Sequence, residues 1–286
     1  MFNTIAMTKT EKYYSEYNDT DRKLHWLSQV IAKVNKAFVP PREDDSHTNF
    51  SLDSLGNRLF GRWIDGPDGR IILSLNLHSM TFEWFDENQN LLIEVQIADR
   101  SMDQLLLEVS EYPDSLSMDK DRIFSPLHYE IPDYGIKSLR IEDVSATGLD
   151  SWLKYRDLAN ISCQDILTHL QAESEIRIWP HHFDTGIYAG VTKDLGLGFG
   201  LAMKDSMVGA PYFYLAGYGE GVNVSGPGLP ELSLGRWETG GPWKGAVLPL
   251  DKLSGKNYSG MLNDIRSFIR EVSDWYMHIT ENNHNE

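Results

Sequence analysis

The first regular pattern in the chain is a set of apolar residues at Leu24, Leu27, Ile31, Val34 and Phe38. Steps of three and four put these side chains on one face only if the backbone is helical. Asp19 or Asp21 supplies the cap. Pro40-Pro41 stops the helix, because proline has no N–H and restricts the residue before it. His25, Trp26 and Gln29 fall elsewhere on the helical wheel. Residues 1–18 are polar and aromatic and are expected to form a flexible segment.

Beyond residue 48 the period shortens. Residues 50–55, 58–64, 70–77, 81–86 and 91–98 read as short strands, divided by turn compositions such as Gly66-Pro-Asp-Gly69 and Asp86-Glu-Asn-Gln-Asn90. Strands joined this tightly are antiparallel, since a parallel crossover needs a dozen residues or more. Residues 101–111 return to a helix, capped by Ser101, with Met102, Leu105, Leu106 and Val109 on one face. Residues 112–149 are irregular and proline-containing. They are expected to pack through Phe124, Leu127, Tyr129 and Ile131, with one more strand over 139–144.

From Asp150 a helical spacing runs through Trp152, Tyr155, Ala159, Ser162 or Cys163, Ile166 and Leu170, which predicts a helix over 150–173 with Trp152, Ile166 and Leu170 turned toward a second sheet. Strand candidates follow at 175–179, 183–191, 197–203, 212–218 and 245–249. A last helix over 258–280 carries Leu262, Ile265, Ile269, Val272, Tyr276 and Ile279 on one face. The expected fold is α+β: antiparallel sheets in two similar halves, each helix–strands–helix, with long helices packed on the sheets. The halves cover about 19–111 and 150–281 of one integrated unit, and 282–286 form a tail.

Composition narrows the partners. The formal net charge of −16 disfavours nucleic acid and anionic membrane, which both need clustered Lys and Arg. Cys163 is the single cysteine, so no intrachain disulfide can form, and its helical setting suits a small buried hydrophobe. The N-terminal apolar run is too short for a signal peptide, and no stretch approaches a membrane span. A cytoplasmic location is the expectation.

The richest chemistry gathers at Trp179-Pro-His-His-Phe-Asp184. On a strand, His182 and Asp184 would share a face and His181 would point away. One reading is a metal half-site, completed by Glu238, Glu220 or His128, with His182, Asp184 and Glu238 the leading ligand candidates. Another is an acid/base pair in which Asp184 orients His182. A third is a histidine that ties down a loop. No HExxH or paired CxxC motif is present, and no motif indicates a cofactor. Gly196-Leu-Gly-Phe-Gly200 and Gly217-Tyr-Gly-Glu-Gly221 do not lead into helices, which argues against phosphate binding. Alternate glycines instead suit a strand closely covered by a helix or a ring.

Aromatic residues cluster in the same half: Trp179, Tyr188, Tyr212, Phe213, Tyr214, Tyr218, Trp237 and Trp243. Tyr212 and Tyr214 share a strand face. The long Gly/Pro-rich loop over 221–243 could close over a pocket, with Arg236 and Glu238 as polar contacts. The leading expectation is a small-molecule-binding protein whose ligand meets Trp179, His181, Tyr212, Tyr214, Arg236, Trp237, Glu238 and Trp243. A metal-assisted hydrolase or isomerase using His182 and Asp184 is one alternative. A structural or interaction protein without a catalytic site is another.

Four segments also carry a resemblance. Leu24-His-Trp-Leu-Ser-Gln-Val followed by Pro40-Pro41, then Trp179-Pro-His-His-Phe-Asp184, Pro211-Tyr-Phe-Tyr214 and Trp243-Lys-Gly-Ala-Val-Leu248, resemble in that order an uncharacterised group of bacterial proteins, a domain of unknown function. The likeness spans about residues 22–280. It implies a single α+β unit in the bacterial cytoplasm and hands no catalytic role to any residue.

Overall fold

The computed structural model describes residues 9–219, 222, 224 and 228–283. Among these are four α-helices and two antiparallel sheets, an α+β fold. The chain divides into two compact units. One holds the residues up to Lys154 together with Arg177–Phe183; the other holds Tyr155–Ile176 and everything from Asp184 on. The division falls inside a helix, not in the irregular connection over 112–149. Among the described residues no helix is long and apolar enough to cross a membrane.

In the first unit, helix α1 (Lys9–Phe38) begins well before Asp19. The expected flexible segment is therefore helical from residue 9. Tertiary packing accounts for the difference: Tyr17 is fully buried, and a Cβ on Gly148 would stand 2.7 Å from the Glu16 carbonyl oxygen and 2.3 Å from Thr20 Oγ1. That approach is open to glycine alone. Leu24, Leu27, Ile31 and Val34 are all buried, as the spacing requires.

Six strands follow: β1 (Ser51–Asp53), β2 (Arg58–Phe60), β3 (Ile64–Gly66), β4 (Gly69–Asn76), β5 (Thr81–Asp86) and β6 (Leu91–Gln96). They form a sheet in the order β1-β2-β4-β5-β6, with β3 paired to the other end of β4. Leu59, Leu75, Phe82 and Val95 sit opposite one another across four strands. All four are buried, so one sheet face is core. Helix α2 (Met102–Ser115) starts at a capping box between Ser101 and Gln104 and sends Leu105, Leu106 and Val109 inward. The Trp84 indole N–H donates to the Val109 carbonyl at 3.2 Å, which ties the helix to the sheet.

The connection after α2 departs from expectation. Residues 139–144 form no strand; Leu139 makes one isolated bridge with Arg100, and Ile141–Asp143 is a 3-10 turn. Phe124 is exposed and Ile123 takes the buried place. The segment is strapped along α1 by polar contacts. Lys33 Nζ donates to the Ser125 carbonyl at 3.2 Å, Tyr129 to Gln29 Oε1 at 3.0 Å, and the Tyr134 hydroxyl meets His25 Nδ1 at 2.8 Å.

Helix α3 (Ala146–Leu170) carries the unit boundary. Its Trp152 belongs with the first unit, where the indole N–H donates to Asp21 Oδ1 at 2.7 Å. The expected inward turn of Trp152 toward the second sheet is thereby corrected. Strand β7 (Arg177–Trp179) also lies with the first unit, with Ile178 and Phe50 exchanging backbone hydrogen bonds of 2.7 and 3.2 Å.

The second unit is built on β8 (Asp184–Gly190), β9 (Gly196–Ala202), β10 (Tyr212–Tyr218), β11 (Arg236–Glu238) and β12 (Gly245–Pro249). Their order is β11-β12-β10-β9-β8, antiparallel throughout. One face carries Ile187, Leu197, Phe199, Leu201, Phe213, Leu215, Ala246 and Leu248, all buried. Helix α4 (Tyr258–Asn283) covers this face through Ile265, Phe268, Ile269, Val272 and Tyr276. A Cβ on Gly217 would meet the Tyr276 ring at 2.5 Å, so the helix sits directly on the strand. Helices α3 and α4 are joined by Tyr258 to Asp157 (2.5 Å), Arg266 to Asp165 (2.8 Å) and His169 to Asp274 (2.8 Å).

Candidate functional site

The register of the second sheet decides which side chains share its outer face. Partners in an antiparallel pair point the same way, and so do alternate residues along a strand. Tyr214 pairs with Gly200 and with Val247, Gly200 with Gly186, and Val247 with Arg236. Asp184, Tyr188, Gly196, Gly198, Tyr212, Tyr218 and Glu238 follow onto the same face by alternation. Six of the expected site residues therefore meet on one surface: Asp184, Tyr212, Tyr214, Arg236 and Glu238, with the Trp243 ring reaching over Gly245.

Trp237 does not join them. It points to the opposite face, where it packs on Trp275 (4.7 Å) and Tyr276 (6.0 Å) of α4 and donates its indole N–H to the Pro230 carbonyl. Its place as a ligand contact is corrected to a helix–sheet packing role. The strand β11 was missed at sequence level because three residues inside a Gly/Pro-rich loop show no clear period. Within that loop, residues 220, 221, 223 and 225–227 lie outside those described, which leaves Glu220 unplaced.

The histidines stand elsewhere. Residues 180–183 form a turn, closed by Phe183 N–H to the Trp179 carbonyl at 2.7 Å, and Phe183 has φ +54°. The strand geometry that would align His182 with Asp184 is absent. Trp179, His181 and His182 belong to the first unit and Asp184 to the second. His182 is exposed. The His181 ring lies 4.2 Å from His182, 5.6 Å from Tyr129 and 5.9 Å from Trp179. Among the described residues, no group of three or more His, Cys, Asp or Glu side chains is placed to hold a metal ion.

The turn does have a structural task. His25 Nε2 lies 2.8 Å and Gln29 Nε2 2.9 Å from the Pro180 carbonyl oxygen, and the His25 ring stacks on Phe183 at 5.1 Å. A carbonyl only accepts, so His25 Nε2 carries the proton. Two of the motif segments that stand out in the sequence thus bind each other inside the first unit.

On the outer face of the second sheet, glycines make room for rings. A Cβ on Gly196 would lie 2.5 Å from Tyr188 Cζ, and one on Gly198 would lie 3.1 Å from Tyr218 Cε2. A Cβ on Gly186 or on Gly200 would stand 2.8 Å from the Tyr214 hydroxyl. The alternate glycines are therefore the signature of rings packed closely onto the backbone. Tyr188 and Tyr218 remain 56% and 45% exposed, with ring centroids 5.9 Å apart. Trp243 crosses Tyr214 edge-to-face at 6.3 Å, and it stands near enough to Tyr218 to act on its phenol. Tyr188 and Tyr218 belong to the aromatic set but had no assigned contact; their cross-strand pairing with glycine was the signal.

The electrostatics follow from the same layout. Tyr214 donates to Asp184 Oδ2 at 2.5 Å. Burial raises the phenol well above its ordinary range, and the Asp184 charge and hydrogen bond push it further the same way. Tyr212 donates to Asp205 Oδ2 at 2.7 Å, and burial foremost raises its phenol too. Glu238 accepts from Arg236 at 2.7 Å, which neutralises that cation. Behind the sheet, burial raises the Cys163 thiol, with the Asp184 charge adding to it, so the sulfur stays protonated. Arg156 is fully buried and donates to Thr185 Oγ1 at 3.0 Å.

Compared with known proteins, this chain matches no family model, no curated protein and no solved structure.

Proposed function

We propose that this protein binds a small organic molecule on the outer face of its second sheet, over Tyr188, Tyr218 and Trp243, with Glu238 as a polar anchor. The observation that carries the reading is the exposure of Tyr188 and Tyr218 where the strand positions beside them are glycines. Stable folding gains little from leaving large rings half in water, whereas a ligand laid on them removes that apolar surface from solvent. Convergent polar groups beside apolar rings are the usual composition of a small-molecule site.

The resemblance to the bacterial group and a cytoplasmic location belong to the same proposal. A single buried thiol suits a reducing compartment. The acidic net charge supports ligands other than nucleic acid and anionic lipid.

The test is a thermal-shift screen of the full chain against neutral, cationic and aromatic metabolites, repeated with Tyr218→Ala. A ligand that stabilises the parent protein and fails with Tyr218→Ala is expected. Stabilisation by no class, or equal stabilisation of both proteins, would reject this face as the site.

A further inference from the structure

The aromatic face has a direction. Tyr188 pairs with Gly198, and Gly245 pairs with Glu238 on the far edge strand. With Ala216 between them by register, this row crosses five strands from Tyr188 to Glu238. At about 4.8 Å between neighbouring strands, it extends roughly 19 Å. Along it the Tyr188 and Tyr218 ring centroids lie 5.9 Å apart, and the Trp243 ring stands over Gly245 farther along. Glycines lie beneath both tyrosine rings, whose planes are inclined at 53° to each other, so the row of rings is twisted along its length. This is a track, longer than one small ring, with the Glu238 carboxylate at its far end.

We infer that the ligand of this face is an uncharged linear oligosaccharide, its sugar rings stacked along Tyr188, Tyr218 and Trp243 and its hydroxyls donating to Glu238; this rests on the binding reading above. A pyranose offers an apolar C–H face to an aromatic ring and a rim of hydroxyls to acceptors, and the track supplies both. Phosphorylated or carboxylated sugars are disfavoured, because Arg236 is already neutralised by Glu238 and Asp184 adds a second acid to the same face. A quaternary ammonium wants rings that enclose one point. Tyr188, Tyr218 and Trp243 are instead strung out across the strands and do not enclose a point.

The experiment is a calorimetric and tryptophan-fluorescence titration of the full chain with neutral gluco-, manno- and xylo-oligosaccharides from one to four units. The expected result is binding by at least one series, tightening tenfold or more from the mono- to the trisaccharide. Tyr188→Ala and Tyr218→Ala should each weaken it at least tenfold, and Tyr188→Phe should keep it. Both alanine sites are half exposed, and far-UV circular dichroism checks that the variants fold. Saccharide binding untouched by both alanine variants would overturn the track. If no neutral saccharide binds but a cationic or aromatic metabolite does so through Tyr218, the saccharide class falls and the binding face stands. If no ligand of any class depends on Tyr188 or Tyr218, both fall.

Discussion

Tyr214 on β10 reaches over β9 to donate its hydroxyl to Asp184 Oδ2 on β8, at 2.5 Å. Tyr214 and Asp184 together bridge two strand spacings, about 9.6 Å, and the phenol can lie across β9 because Gly200 and Gly186 leave the sheet surface bare beneath it. Asp184 is 9% exposed, so this donor replaces much of the hydration that the carboxylate has lost. Tyr214→Phe keeps the ring and removes the donor. A loss of about 1–3 kcal/mol is expected, the cost of a buried charged acceptor left without its partner. Urea unfolding reads it as a lower midpoint at unchanged slope.

The glycines beneath the rings predict a contrast between neighbours on one face. A Cβ on Gly200 would stand 2.4 Å from the Thr185 carbonyl oxygen and 2.8 Å from the Tyr214 hydroxyl, whereas one on Gly190 meets nothing within 4 Å. Gly200→Ala is expected to cost about 1–3 kcal/mol through overpacking and to separate Tyr214 from Asp184. Gly190→Ala should change stability by less than about 0.5 kcal/mol. Paired thermal melts decide it, and equal melting temperatures for the two variants would refute the close approach.

The histidines should behave in the reverse of their prominence in the sequence. His25 is buried, with Tyr134 on one nitrogen and the Pro180 carbonyl on the other. His25→Ala is expected to cost about 3 kcal/mol, from two lost hydrogen bonds and a cavity against Phe183. His182 is exposed in a turn, and His182→Ala should stay within about 0.5 kcal/mol of the parent. Denaturant midpoints of both variants test the ranking.

Alkali should destabilise the fold through its phenols. Burial foremost pushes both Tyr134 and Tyr276 up to about 12, from an ordinary value of 10.0. Below pH 10 both are neutral in the folded and unfolded chain, and their contribution to stability is fully present. Between 10 and about 12 the unfolded chain releases protons that the folded one keeps, so stability falls as pH rises. Urea midpoints measured from pH 9 to 12 should drop, and Tyr134→Phe and Tyr276→Phe should each flatten the drop. A drop of the same steepness in both variants would contradict the raised values.

Much of the scaffold was readable from spacing alone. The bounds predicted for β5, β10 and β12 coincide with those observed, because period-two runs ended at turn residues on both sides. The Ser101 cap held for a similarly local reason: Ser101 and Gln104 satisfy each other's backbone within one turn. Errors cluster where distant elements intervene. Helix α1 extends back to Lys9, and Tyr17 is buried within the added stretch. Trp152 left its expected partner for Asp21 on α1. Residues 180–183 became a turn, with Phe183 in a left-handed conformation.

What the sequence by itself determined is each element's period and the set of side chains sharing a face of it. These are properties of a few adjacent dihedral angles and need no partner. Tertiary structure alone decided what meets each face. It put Trp237 behind the sheet and Tyr214 in front, gave His25 rather than His182 the buried role, and turned alternate glycines into a floor for tyrosine rings. The reason is physical: register and packing bring together residues far apart in the chain, through shape and hydrogen bonding that no local spacing encodes.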